Sequence, residues 1–448
     1  MKPSPISDKR QRKILLSFVL ASSAIMVLDS TIVRILDNFS KEPGPVGISA
    51  LYDFLVIFFI VSNFVFIRYL RQQTILAASR ESSYSKYSLN SITIIQLILC
   101  AIIVVNAIEF NLTNSNHLAI LEIALYFSFL TGIVFLAFIT YQFFRWFKTK
   151  QQYITLIYAM AFMLLLTGVI ISLVYVADRL TFIKPVLTLK TINAVVASNQ
   201  SPSILMNNLS TIYDFSSIAA FFLLWIGTII QLKGYALKVG KVRYNAMIIA
   251  PLVFYMFPLM ADQTNIFDNA RLEYGSQFNL IYIIVFSPYK QVGGLLFGIV
   301  FWLTAFRITR ANLRNTLQMA GTGMMILFGS AVLHGLSFIM APPFGVVTIA
   351  YFGLASYMLS TGIYLSSREL AKDAIVRREL YRLTGEQSGL LKTTSSAEIE
   401  KELNKNVQAI LVKIKDEEPN SIQVAKEDDP KEIVEEVLRE LESMKKKN

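Results

Sequence analysis

The side chains best suited to chemistry in this chain lie in apolar surroundings, and they cluster toward one end of them. Asp29, Asp53, Glu109, Glu122, Asp178, Asp214, Asp262, Lys290 and His334 each fall within, or at the edge of, the same end of an apolar stretch. Toward the opposite ends the deepest polar residues are uncharged, among them Asn63, Gln96, Gln231 and Gln318. A charge at the centre of a bilayer costs roughly 2.5–3.5 kcal/mol on insertion scales and less toward the interface. Carboxylates and an imidazole held at one depth can therefore line a cavity open to one side of a membrane. Asp29, Glu122, Lys290, His334, Asp53 and Asp214 form such a candidate ligand-binding set, with Lys290 or Arg34 as counter-charge. For Asp53, Asp214, Glu109, Asp178 and Asp262 the plainer reading is a solvated helix end. For His334 it is a neutral ring hydrogen-bonded to a neighbouring helix.

Enzyme readings find little support. Two histidines, His117 and His334, are too few for a histidine-rich metal or haem site, and Cys100 is the sole cysteine, so neither an intrachain disulfide nor a thiolate metal site is possible. The fourteen methionines read as packing rather than as a copper route. Tyr52-Asp53 and Tyr213-Asp214 share a dipeptide with intramembrane aspartyl proteases, but the companion Gly-x-Gly-Asp is absent. No Walker A loop, dinucleotide fingerprint or Gly-x-Ser-x-Gly elbow occurs. The expectation is a protein without enzymatic activity, metal or cofactor.

The elements that must position these residues follow from composition. Of 448 residues 54% are hydrophobic and 16% charged, with a mean hydropathy of +0.51, which excludes a single soluble globule and points to a polytopic membrane protein. A spanning helix needs about 20 mostly apolar residues. Ten stretches qualify: residues 14–36, 51–67, 92–108, 118–147, 153–177, 211–232, 244–261, 280–306, 317–340 and 344–365. The expected fold is an all-α transmembrane bundle over residues 1–365. The eighth stretch is interrupted at Ser287-Pro288, so it reads as a shorter span starting near Val292, preceded by an apolar strand or re-entrant piece. Pro251 and Pro258 should kink the seventh, and Gly294, Gly298, Gly321 and Gly323 suggest close helix packing.

Net charge is +11, but residues 366–448 hold 16 Lys+Arg against 18 Asp+Glu, and the rest of the chain holds 26 against 13. The basic excess thus belongs to short loops between spans, and a nucleic-acid partner is not expected. Basic loops at 68–86, 145–150, 233–243 and 307–314 alternate with loops poor in Lys and Arg. The positive-inside rule then places both termini in the cytoplasm of a cell carrying this protein in its cytoplasmic membrane. The basic N-terminus precedes a span with no cleavage pattern and reads as a retained first helix. Four Asn-x-Ser/Thr triplets, at Asn38, Asn111, Asn199 and Asn208, all fall in loops assigned outside. Tyr-Asp-Phe recurs at Tyr52 and Tyr213, each time opening a span that is followed by a basic loop, as a parallel repeat of four spans would require.

Beyond the last span the chain continues without Pro or Gly from Gly362 to Leu383, so that one helix can leave the bilayer and carry movement into residues 366–394, a juxtamembrane signalling segment. Residues 395–448 read as a helical tail. Ser395 and Glu398 have capping-box spacing ahead of a stripe of Ile399, Leu403, Val407, Ile410 and Ile414. Val434, Val437, Leu441 and Met444 then follow coiled-coil spacing, suited to pairing with each other's helix, a second copy or a cytoplasmic protein.

The segment RRELYRLTGEQSGLLKT, Arg377 to Thr393, resembles the linker that follows the last span in archaeal multi-pass signalling proteins, some of which continue into a histidine kinase. That resemblance implies a sensor-like membrane module with a helical output segment. No His occurs after His334 and no ATP-binding domain follows, so it implies no kinase. Charge on one side and an unbroken exit helix together favour a receptor-like or scaffold protein. The alternative is a secondary transporter or permease for a small neutral solute, which uptake into liposomes would reveal.

Overall fold

A computed structural model describes residues 5–38, 45–78, 83–113, 115–181, 186–188, 204–233, 240–308, 310–330, 344–372 and 389–417. Twelve helices account for nearly all of them: α1 (Pro5–Asn38), α2 (Pro45–Ala78), α3 (Ser83–Thr113), α4 (Leu118–Lys150), α5 (Tyr153–Thr181), α6 (Ile204–Leu232), α7 (Lys241–Thr264), α8 (Asp268–Phe286), α9 (Tyr289–Phe306), α10 (Ala311–Ser330), α11 (Val346–Lys372) and α12 (Gly389–Glu417). Among the described residues nine segments are long and apolar enough to cross a membrane. The protein is an all-α, multi-pass bundle of the kind the composition demands. Residues 331–340 of the expected ninth span, His334 included, lie outside the described residues, as do 373–388 and everything after Glu417.

α11 is the axis of the bundle. It touches α10, α4, α12, α3, α2 and α1, and 94% of its span is buried by other parts of the chain. Lipid tails are as apolar as leucine, so helices in a membrane gain by close packing rather than by escaping water. The contact surfaces are accordingly made of small residues. A Cβ on Gly362 would sit 2.5 Å from the Ala320 amide nitrogen, and one on Gly323 would collide with the Leu359 backbone. Between α9 and α10, a Cβ on Gly298 would meet the Gly321 carbonyl at 2.5 Å. The glycines expected to pack closely do so, Gly298, Gly321 and Gly323 against neighbouring backbone and Gly294 against the Phe328 side chain.

Side chains on neighbouring helices answer α11 at successive levels. Ser62 bonds the Tyr351 hydroxyl, Ser128 donates to Ile349 O, and Ser366 donates to Thr316 at 2.9 Å. Buried polar groups at these depths need partners, and each of these groups has one.

The eighth stretch differs from expectation. The segment leading into Val292 is helical and not a strand. α8 is broken at Gly275 (φ 50°, ψ −121°), and α9 restarts at Tyr289 after Ser287-Pro288. Proline lacks the donor that would continue the ladder but is at home beside a helix start, so a helix ends and another begins there. Both prolines of α7 lie inside that helix. Trp225 Nε1 donates to Ile248 O at 3.0 Å, in the turn that Pro251 leaves one donor short.

At one end of the bundle β1 (Ser115–His117) pairs antiparallel with β2 (Val186–Thr188), joining the two loops that follow α3 and α5. At the opposite end α12 lies across α11, α4 and α5.

Candidate functional site

Toward the strand-bearing end, Asp29 of α1 is wholly buried. Its Oδ1 accepts from the Gly345 amide at 2.9 Å; its Oδ2 accepts from the Thr348 amide at 3.1 Å and the Thr348 hydroxyl at 2.6 Å. Gly345 (φ 89°) and Thr348 bracket the first turn of α11, where amide donors have no intrahelical acceptor and the helix dipole is positive. Asp29 therefore does from another helix what an N-cap aspartate does from its own. The positive φ explains why glycine stands before Val346. Asp29 answers to a helix N-terminus and not to Lys290.

Lys290 lies in the first turn of α9 and is 5% exposed. Its ammonium donates to the Tyr213 hydroxyl at 3.3 Å and stands 5.3 Å from the centroid of the Tyr213 ring and 5.7 Å from that of Tyr289. Arg34 of α1 lies over the same Tyr289 ring at 5.4 Å, and Ser30 shares a hydroxyl contact with Ser287 at 3.4 Å. α1 thus lies between the two polar centres, with Asp29 turned to α11 and Ser30 and Arg34 turned to the break between α8 and α9.

Of the other sequence candidates, the described ones, Asp53, Glu122 and Asp214, are not drawn into one cavity. Asp53 accepts from Asn111 Nδ2 at 2.8 Å on the surface of α2 and α3, Glu122 is half-buried on α4, and Asp214 is exposed on α6. The two Tyr-Asp pairs also diverge. Tyr52 is buried and accepts from Asn106 at 3.0 Å, whereas Tyr213 is half-buried and receives Lys290.

A third polar centre, at the far end, had no warning in the spacing of single helices. α12 starts at Gly389, so Ser395 is already inside it; its hydroxyl bonds Lys392 O, and the expected capping box does not form. Glu398, 4% exposed in its side chain, instead receives Arg145 and, at 2.9 Å, Trp146 Nε1. Lys150 pairs with Glu400 at 2.7 Å. Thr393 bonds Gln152, and Ser367 of α11 donates to Thr394 at 2.8 Å. The adjacent Arg145-Trp146 at the end of a span was the available signal, but a docking partner some 250 residues away gives no local mark. Compared with family models, curated proteins and solved structures, the chain matches none.

Proposed function

We propose that this multi-pass membrane protein is a receptor-like or scaffold module that relays an external or membrane-borne signal through α11 to its C-terminal helical segment. The cytoplasmic membrane, with both termini inside, is the setting that the loop charges favour. Bilayer lipids surround the bundle, and a second copy or a cytoplasmic protein would engage the tail.

One observation carries this reading: α11 is held at both ends by other parts of the chain. Asp29 of α1 grips its first turn, and Ser367 near its last turn meets Thr394 of α12. Small-residue contacts along its length let a rigid helix shift between discrete packings rather than bend, so a change at the Asp29 end reaches the α12 end. The likeness of Arg377–Thr393 to signalling linkers agrees with an output made by contact.

Cys100 is the sole cysteine, so Cys100→Ser gives a background for paired spin labels at Gln151→Cys and Lys405→Cys. In lipid nanodiscs, Asp29→Asn should shift or broaden the distance distribution between them while the protein stays folded. An unchanged distribution in a folded variant would rule out relay along α11.

A further inference from the structure

We propose that the break between α8 and α9 is a binding site for an oxyanion, a phosphate or carboxylate group, with Lys290 as its principal ligand. α8 and α9 together form one 35-residue apolar span, Leu272–Phe306, interrupted at Ser287-Pro288. The N-terminus of α9 therefore opens within the bundle rather than at a membrane surface. No side chain caps it. A helix N-terminus in an apolar setting carries a partial positive charge and free amide donors, and discontinuous transmembrane helices use such ends to hold anions.

The second observation is the state of the first-turn side chains. The Lys290 ammonium has three donors and one hydrogen-bond acceptor, the Tyr213 hydroxyl; no carboxylate pairs with it among the described residues. Neither atom of the Gln291 carboxamide has a hydrogen-bond partner, although that residue is 2% exposed. In helices the Cα–Cβ bonds tilt toward the N-terminus, so both side chains lean back toward the uncapped amides. The rings of Tyr213 and Tyr289 face the ammonium, and Tyr255 lies against Tyr289 with centroids 5.6 Å apart. Cation–π contacts offset only part of the desolvation of a buried cation. A bound anion supplies the rest, and half-buried Tyr213 leaves the cage one side toward the surface. Arg34, 5.4 Å from the centroid of the Tyr289 ring, adds positive potential.

The site stands apart from the α11 relay, and binding reads it directly. Purified full-length protein, delipidated in neutral detergent, is titrated with phosphatidylglycerol, phosphatidylcholine, inorganic phosphate and acetate, following thermal unfolding and retained lipid by native mass spectrometry. Phosphatidylglycerol should raise the unfolding temperature where phosphatidylcholine does not, if the anion is a lipid headgroup; phosphate or acetate alone should do so if it is a free solute. Either response should weaken by about tenfold or more in Lys290→Met and return in Lys290→Arg, as loss of a charge-assisted bond implies. Lys290→Met should itself unfold no earlier than wild type without anion, because it removes an unpaired buried charge. No response to any anion, or one that survives Lys290→Met, overturns the site.

Discussion

α11 and α7 are both apolar helices of membrane length, yet they live in different surroundings. Other parts of the chain bury 94% of the span of α11 and only 28% of that of α7. The residues say why. Along α11 stand Gly353, Ala355, Ser356, Ser360, Gly362, Ser366 and Ser367, which let neighbouring backbones approach. Along α7 stand Ile249, Val253, Phe257 and Met260, exposed in the bundle and suited to lipid. Ile249, Val253 and Phe257, with Val285 and Phe286 of α8, line a shallow apolar groove of about 610 Å³. Hydrophobicity sends both helices into the membrane; side-chain size decides which becomes the centre.

The largest test of that contrast is Gly323→Leu. The new side chain would have to displace the Leu359 backbone, and overpacking a site with no room costs about 3 kcal/mol or more. Loss of the folded monodisperse species on size exclusion is expected, whereas Val253→Leu on α7 should leave unfolding unchanged. Equal damage from both would dissolve the distinction between the two helices.

Asp29→Ala comes next. It leaves the Gly345 and Thr348 donors buried without an acceptor, and unfolding monitored by denaturant should show a loss of about 2–3 kcal/mol. Glu398→Gln should cost about 1–2 kcal/mol, discounted because Arg145 keeps a quarter of its side chain in solvent. That loss should concentrate in α12, seen as faster amide exchange over residues 389–405 with little change in α7. Smallest is Glu400→Gln, whose partly exposed pair with Lys150 is worth about 0.5 kcal/mol or less and should fade further in high salt.

Much of the architecture was legible along the chain. Apolar runs of the right length named the spans, and the glycines of α9 and α10 announced close packing. The site was legible only by halves. Asp29 and Lys290 stood out as ionisable groups in apolar runs, but their partners are Gly345 and Thr348, 316 and 319 residues away, and Tyr213, 77 residues away. Gln291 carried no signal, since an amide in a span is usually paired. The capping box of Ser395 and Glu398 fails because it is a local pattern, and helix α12 begins six residues before Ser395.

What the sequence by itself determined is the class of object: length, hydropathy and loop charge leave a polytopic helical bundle as the way to satisfy every backbone donor in lipid. What only the tertiary structure decided is which apolar helix becomes the axis, which buried charge meets a helix end and which is left with tyrosines. Those outcomes depend on contacts between residues hundreds of positions apart, and no local pattern encodes them.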